Sequence, residues 1–310
     1  MGLIHLSEIC KENWKLPRDG EFASLGLCSA HAGMPLLTFC GNVKFLRMAL
    51  KNPDISCVMI PQELEEQALA MDIERGFCVV PNVRIDFFEL HNRLCSPEWA
   101  ARYVGTDSPT VIDPTAQIDP RAIIAPENVT IGANTVIEAG AVIYGRTMIG
   151  SNCIIRSGTI LGGSGLEFIR MGNEGMLGVE HRGSLIIGDR VEIQYNCNVS
   201  RSLFPWHETR IGNDTKVESL VHIAHGSHIG ERVLIAASAC VCGSAEIRND
   251  VWIGPNATVS SEVKIGDQAR VNLGAVAASD IPAGTVVTGN FAVRHDLFMA
   301  DHLNKLRGNN

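Results

Sequence analysis

The sequence predicts a mainly β protein: a left-handed parallel β-helix of hexapeptide repeats, with a small N-terminal α/β domain and a C-terminal helix. Three observations support this fold class. An aliphatic residue recurs at every sixth position through most of residues 106–288, and a small residue often follows it four positions later. Residues 1–105 lack that period. A sustained six-residue period is typical of parallel β-helices.

The register is long enough to exclude coincidence. Its 23 rungs fall into four runs, at residues 112–124, 131–161, 187–199 and 211–271. Three rungs of six residues make one triangular coil of about 18 residues, so we expect seven to eight coils. The aliphatic residues and small residues such as Thr135 and Cys153 should point inward. Residues 162–186 and 200–210 break the register and are expected to leave the prism as loops, which is where rigid scaffolds often hold ligands.

The regions on either side of the repeat have different patterns. We divide the chain into an α/β domain at 1–105, a β-helix at 106–288, and a C-terminal helix with a tail at 289–310. In the first domain the patterns predict helices at 43–51 and 61–72 and buried strands at 55–60 and 76–81. Residues 280–289 are expected to close the prism with a turn.

Composition limits the partners that the protein is expected to bind and indicates its cellular compartment. The net charge of −8 argues against a nucleic-acid surface or an anionic-membrane surface. Ten cysteines without a C-x-x-C motif indicate reduced thiols and a cytoplasmic protein. No apolar run approaches the length of a transmembrane segment, and the N-terminus lacks the pattern of a signal peptide.

Three histidines in the stretch "VHIAHGSHIG" are the first candidates for a site: His222, His225 and His228. His222 and His228 occupy the same position on successive rungs, so they should lie on different corners of the triangle. That arrangement cannot close on one ion within the chain, and we predict no metal site. His228 is expected to be an ordinary surface residue.

His225 differs because of what should lie one coil away. Adding 18 residues reaches Gly243, which has the same position in its rung. Stacked strands are about 4.8 Å apart, and a glycine leaves its backbone N–H open to a ligand. An imidazole beside an open N–H could act as the general base and the oxyanion donor of acyl transfer.

Three segments resemble one known family. "VHIAHGSHIG", "GSLIIGDRVEIQYNCNVSR" and "LLTFCGNVKFL" are similar to the UDP-3-O-(3-hydroxyacyl)glucosamine N-acyltransferases, which act in lipid A and lipopolysaccharide biosynthesis. The resemblance implies homotrimers with active sites between neighbouring prisms. It also implies His225 as general base and Gly243 as oxyanion donor. The expected substrate-binding residues are Phe39, Asn42 and Phe45, at the uracil of a UDP-sugar, and His222.

The sequence departs from that family's pattern around the acyl and sugar sides of the site. Ser244 stands where the family commonly has a second histidine, and Ser200 stands where it has an acidic residue. The following loop is longer and contains Pro205 and Trp206, and the family's "DGFG" segment is "SGLE" at 164–167. We therefore expect this protein to share the family's acyl-transfer chemistry more closely than its substrate specificity.

We therefore predict a trimeric N-acyltransferase that acts on a UDP-linked amino sugar and holds no bound cofactor. Its co-substrate would be an acyl-carrier-protein thioester or an acyl-CoA. Arg294, Lys305 and Arg307 form at best a thin basic patch for a carrier protein, whereas Lys264 and Arg270 could serve coenzyme A phosphates. Two alternatives stay open: a sugar N-acetyltransferase that uses acetyl-CoA for surface polysaccharide, and a non-catalytic scaffold that binds nucleotide sugars.

Overall fold

The computed structural model describes residues 2–289 and 291–306. Most of the chain forms a prism whose three walls are parallel sheets, here called sheets I, II and III, of eight, nine and eight strands. The chain visits them in the order I, II, III and returns to I one coil later. This confirms the left-handed parallel β-helix that the six-residue period predicts.

The strands are short, and each pairs in register with the strand one coil away. Sheet I contains Val111–Ile112, Val129–Ile131, Thr147–Ile149, Ser184–Ile187, Glu208–Ile211, His228–Ile229, Glu246–Ile247 and Lys264–Ile265. Sheet II contains Gln117–Ile118, Val136–Ile137, Ile154–Ile155, Glu192–Ile193, Lys216–Val217, Leu234–Ile235, Trp252–Ile253, Arg270–Val271 and Val286–Val287. Sheet III contains Ile123–Ile124, Val142–Ile143, Ile160–Gly163, Asn198–Ser200, His222–Ile223, Cys240–Val241, Thr258–Val259 and Val276–Ala277.

The interior follows the predicted pattern. Aliphatic rung residues such as Ile137 and Ile155 are buried, and so are the small residues Thr135 and Cys153 between them. The Thr135 hydroxyl donates to the Gly150 carbonyl at 2.7 Å, which satisfies a polar group inside an apolar core. Corners repeatedly place one residue in the left-handed region, for example Asn134 at φ 57°. Asparagine tolerates that conformation better than most residues do.

The ends and the loops refine the sequence prediction. Residues 280–289 do more than turn, because Val286–Val287 forms a further strand of sheet II. With Val276–Ala277, the prism has two rungs more than the 23 predicted. Ile112, expected to point inward, is 39% exposed, since it lies at the open end of the first coil. The loops span 164–183 and 201–207, and the first contains an antiparallel hairpin, Phe168–Arg170 with Met176–Gly178.

The N-terminal region is an α/β layer. Its five-stranded sheet has the order Lys15–Arg18, Gly76–Val79, Ile55–Ile60, Leu36–Phe39 and Ser24–Leu25, with the first strand antiparallel to its neighbour. A separate antiparallel pair joins Ile4–His5 to Glu21–Phe22. The α-helices are Leu6–Ile9, Val43–Lys51, Glu65–Met71, Val83–Leu94 and Pro97–Tyr103, with a 3₁₀ turn at Gln62–Leu64. The predicted helices and strands are present, whereas Val83–Leu94 and Pro97–Tyr103 were not predicted. The division into separate domains at residue 105 stays a prediction.

The two loops of the prism pack against this α/β layer. Phe204 and Leu203 join its buried core, and the Trp206 indole donates to the Leu25 carbonyl at 2.8 Å. His91 is fully buried and donates from Nε2 to the Glu180 carbonyl at 2.7 Å, while its Nδ1 accepts from the Tyr103 hydroxyl at 2.7 Å. This tautomer follows from the partners, since a carbonyl can only accept. The loops therefore hold the two regions together.

The predicted C-terminal helix spans His295–Leu306, and none of its residues is buried. Of the basic patch expected in the tail, Arg294 is held by Asp296 at 2.6 Å and Lys305 by Asp301 at 2.7 Å. Arg307 lies outside the described residues. Within the part of the chain that the structure describes, no helix is long and apolar enough to cross a membrane.

Candidate active site

One edge of the prism carries the candidate site. We call it the III–I edge, because the chain passes there from sheet III to sheet I. Both long loops leave from it, and the corners that contain His225 and Gly243 lie above them. The Ser244 N–H donates to the His225 carbonyl at 2.9 Å, so the two corners are stacked one coil apart. The structure thus brings together the two residues whose 18-residue separation suggested a pair.

The His225 imidazole lies directly beside Gly243. A Cβ atom at Gly243 would be 3.1 Å from His225 Nε2 and 3.2 Å from Cε1. Among the described residues, nothing accepts a hydrogen bond from the Gly243 N–H. A ring nitrogen and a free backbone donor therefore occupy adjacent positions, which is the arrangement that proton removal and oxyanion stabilisation require.

The surroundings of His225 favour its neutral form. Burial lowers the pKa of the imidazole below its ordinary value of 6.5, and His222 lowers it further. The Glu167 carboxylate acts in the opposite direction and raises the pKa. A neutral imidazole at neutral pH can accept a proton, as a general base must.

Two histidines that sequence reasoning missed complete the cluster. His181, 1% exposed, lies in the first loop with its ring centroid 5.2 Å from that of His225. His207, in the second loop, bonds Ser202 Oγ through Nδ1 at 2.6 Å and faces His228 at 5.4 Å between ring centroids. Burial is the main cause that lowers the pKa of each to about 4. The available signal was their position, since both fall where the six-residue period breaks.

The three histidines of the opening stretch do not converge. His222 lies on sheet III and His228 on sheet I, with His225 at the corner between them. His228 is not the plain surface residue that the sequence suggested, because its Nε2 donates to the Glu208 carbonyl at 3.1 Å and its ring packs on His207. Within residues 2–289 and 291–306, no three His, Cys, Asp or Glu side chains are grouped to hold a metal ion.

A cavity of about 920 Å³ opens at this edge, between the α/β layer and the prism. One wall is largely apolar and belongs to the α/β layer and the second loop: Leu27, Ala30, Phe39, Phe88, Leu203, Phe204 and Trp206. The central wall contains Gly165, Glu167, His207, His222, His225 and Gly243. The wall formed by later coils is polar: Ser244, Glu246, Ser261, Glu262 and Lys264. The cavity is large enough for a small-molecule ligand.

The predicted uracil residues are placed unequally. Phe39 lines the cavity, and its ring packs on Phe87 with centroids 4.8 Å apart. Asn42 begins the helix Val43–Lys51, where its Oδ1 accepts from the Phe45 N–H at 3.1 Å and its amide NH₂ stays available. Phe45 is 43% exposed. Neither Asn42 nor Phe45 is among the described residues that line the cavity.

The pair of cations suggested for coenzyme A is separated by the fold. Lys264 lies on sheet I and contacts Glu246 at 3.2 Å, whereas Arg270 lies on sheet II over the Trp252 ring at 4.9 Å. Successive rungs belong to different walls of the prism, so adjacency in sequence does not bring these side chains to one groove. That both cations serve one ligand, in a groove between neighbouring prisms, stays a prediction.

Known proteins that are similar to this chain share its six-residue repeat. The family described as "Bacterial transferase hexapeptide (six repeats)" matches residues 128–163 and 208–243, which include His225 and Gly243. The chain is similar to the UDP-3-O-acylglucosamine N-acyltransferase of Maricaulis maris (strain MCS10), with 35% identity over 43% of this chain and 38% of the relative. The enzyme of that name from Delftia acidovorans (strain DSM 14801 / SPH-1) is 30% identical over 44% of this chain and 40% of the relative.

The matches confirm the resemblance inferred from the sequence, over a limited stretch. The chain spans about two fifths of the length of these curated relatives. Among solved structures, Francisella novicida UDP-N-acetylglucosamine acyltransferase matches with 23% identity and a TM-score of 0.48, over 59% of this chain and 66% of that one.

Proposed function

We propose that this protein transfers an acyl group from a thioester to the amine of a UDP-linked amino sugar. One observation carries the proposal: His225 and Gly243 lie side by side in the wall of a cavity that also reaches Phe39. The similar relatives are named UDP-3-O-acylglucosamine N-acyltransferases, which supports this substrate class.

In the proposed reaction, neutral His225 removes a proton from the sugar amine as the nitrogen attacks the thioester carbonyl. The C–N bond forms, and the carbonyl oxygen gains negative charge that the Gly243 N–H stabilises. The tetrahedral intermediate then collapses and the C–S bond breaks. The imidazolium returns its proton to the departing thiolate, which leaves as the free thiol. Each of these steps needs only groups that line the cavity.

The remaining assignments extend this proposal. Phe39, Asn42 and Phe45 would hold the uracil, and His222 would contact the substrate beside the base. The cavity is open along the III–I edge, so we propose that a neighbouring prism in a homotrimer closes it. All ten cysteines are free thiols, which favours a reducing compartment such as the cytoplasm. Acyl carrier protein is the donor that we expect from the family resemblance of the sequence.

One observation favours the second donor, a short-chain acyl-CoA. The later-coil wall of the cavity is polar and contains the Glu246–Lys264 ion pair at 3.2 Å. A long hydrocarbon chain laid on that wall would desolvate charged groups without replacing their hydrogen bonds, which is unfavourable. An acetyl group would cover much less of that wall. This supports an N-acetyltransferase for surface polysaccharide as the alternative.

The test is a transfer assay with UDP-amino sugars as acceptors and two classes of donor, acyl carrier protein carrying hydroxyacyl chains and short-chain acyl-CoA. We expect His225→Ala to lower turnover by about 10²–10⁴ without loss of folding, because a general base contributes that much. His228→Ala is the matched control, since its Nε2 is already bonded to the Glu208 carbonyl. Normal turnover in purified His225→Ala would refute the mechanism. UDP-sugar binding without turnover by any donor would favour the scaffold alternative.

A further inference from the structure

The segment Ser164–Glu167 lies against the imidazole of His225. A Cβ atom at Gly165 would be 2.9 Å from His225 Cδ2 and 3.0 Å from His181 Nε2. Real Cβ atoms essentially never lie within 3.0 Å of another atom, so a side chain at Gly165 would require the His225 ring to shift. A side chain at Gly165 would therefore meet the His225 ring at Cδ2, whereas one at Gly243 would meet it at Nε2 and Cε1.

Glu167 follows two residues later and lines the same cavity as His225. Two residues of extended chain span at most about 7 Å, which keeps this carboxylate near the ring. Its side chain is 23% exposed, and the nearest described cation, Arg84, is 3.9 Å from it and is itself exposed. The Val179 N–H donates to the Glu167 carbonyl at 3.0 Å and fixes the segment at the base of the hairpin. Glu167 is thus a fixed and only loosely paired negative charge.

We propose that Ser164–Glu167 is the positioning element of the base: Gly165 sets the orientation of the His225 ring, and Glu167 supplies the carboxylate that stabilises its protonated form. The inference rests on the proposed function for its catalytic meaning. An imidazolium that forms during acyl transfer is stabilised by a nearby carboxylate, which also makes the imidazole a stronger base. Nothing in the six-residue pattern predicts this element, since it belongs to a loop.

The other ionisable groups around His225 lie on its own stretch and on the two loops. His222 lies on the same stretch, His181 on the first loop and His207 on the second. Burial lowers the pKa of His181 and of His207 to about 4, so both are neutral near pH 7. His222 lowers the pKa of His225. Glu167 is thus the only carboxylate among the described residues that raises the pKa of His225.

The electrostatic effect of Glu167 on His225 is tested with Glu167→Gln, and Glu174→Gln is the matched control. Glu174 is an exposed carboxylate in the same loop. Histidine labelled with ¹³C in its ring allows NMR titration of His225, identified by the signal missing from His225→Ala. We expect the His225 midpoint to fall by roughly half a pH unit in Glu167→Gln, because a favourable charge is lost. It should return in Glu167→Asp and stay unchanged in Glu174→Gln. An unchanged midpoint in Glu167→Gln would overturn the electrostatic role.

This titration needs no substrate, so its outcome is independent of whether the acyl transfer is correct. If transfer is observed, kcat/KM of Glu167→Gln is measured against pH. The acid limb of that profile should move to lower pH together with the NMR midpoint of His225. The plateau value of kcat/KM should fall about tenfold. A fall in the plateau with an unmoved limb would indicate a merely structural role for Glu167.

The role of Gly165 in orienting the His225 ring is tested with Gly165→Ala, and Gly163→Ala is the control. A Cβ at Gly163 would meet its nearest neighbour, Ile160, at an ordinary 3.7 Å. We expect Gly165→Ala to displace the His225 ring and lower kcat about 10²-fold while KM and the melting temperature change little. Gly163→Ala should resemble the wild type in all three. An unmoved His225 ring in a crystal structure of Gly165→Ala would overturn the steric role, whatever the activity.

Discussion

Two edges of the same prism use glycine for opposite purposes. At the I–II edge, where the chain passes from sheet I to sheet II, a Cβ at Gly132, Gly212 or Gly230 would lie 2.6–2.7 Å from atoms of the next coil. Those coils are stacked backbone to backbone. At the III–I edge, Gly165 and Gly243 face imidazole rings, and the backbone of the next coil is further away. One edge is closed by the repeat itself, and the other is closed by side chains and loops.

The difference shows where a repetitive scaffold can acquire chemistry. A corner whose glycines stack on backbone has no space for a ligand and no freedom to lengthen. A corner that already admits loops at 164–183 and 201–207 can present histidines from several coils to one cavity. The repeat fixes the distance between coils, and the loops add the polar groups.

The sharpest test of this comparison replaces one glycine with alanine at each edge. Gly243→Ala should reduce transfer about 10²-fold with an unchanged melting temperature, because its methyl group would displace the His225 ring by only a few tenths of an ångström. Gly212→Ala should lower the free energy of unfolding by about 2–3 kcal/mol, because its methyl group would meet the Gly230 carbonyl group at 2.6 Å. Activity assays and chemical denaturation of both variants provide the measurements. Equal loss of stability in the two variants would contradict the distinction.

Acidification should loosen the III–I edge before the I–II edge. His91, which holds the Glu180 carbonyl of the first loop, has its pKa lowered to about 4 by burial. Its folded pKa lies below its unfolded value near 6.5, so the unfolded chain binds more protons between those values. Stability is complete above pH 6.5 and is lost as the pH falls toward 4, by roughly 3 kcal/mol for this group.

Hydrogen exchange between pH 7 and pH 4.5 would measure this effect, with rates corrected for their intrinsic pH dependence. Amides of the first loop and of Val83–Leu94 should lose protection before those at the I–II edge. Simultaneous loss of protection at both edges would mean that the loops do not open independently.

A smaller effect is expected at Asn42. Asn42→Ala should raise KM for a UDP-sugar about tenfold with little change in kcat, because a contact remote from the amine contributes equally to ground and transition states. It also removes the cap of the helix Val43–Lys51, at a cost of about 1 kcal/mol. Asn82→Ala is a suitable control, since Asn82 caps Val83–Leu94 in the same way. If UDP fails to raise the melting temperature of the wild type, the uracil assignment is wrong.

The smallest expected effect is that of a chelator. His222 and His228 lie on different sheets, so the histidines of the III–I edge do not converge on one ion. Incubation with EDTA followed by dialysis should therefore leave turnover unchanged. One equivalent of zinc per chain by elemental analysis, with loss of activity on its removal, would show that a neighbouring chain completes a metal site.

The sequence was sufficient for the parts of the molecule that repeat. The period of six predicted the prism, the buried Thr135 and Cys153, and the stacking of Gly243 on His225, because each depends only on spacing along the chain. The same arithmetic places Lys264 and Arg270, six residues apart, on different walls of the prism. Spacing of 18 brings residues together, whereas spacing of 6 moves them to another wall.

The tertiary structure decided what no period describes. His207 and Glu167 reach the cavity from loops, and His181 packs beside the His225 ring from the first loop. The path of a loop depends on what it packs against. Here Trp206 donates to the Leu25 carbonyl and His91 binds the Glu180 carbonyl, so the α/β layer sets the position of both loops. Local spacing determines a repeat because each coil contacts only the next. The environment of His225 depends on contacts between distant parts of the chain, and those exist only once the two regions have packed together.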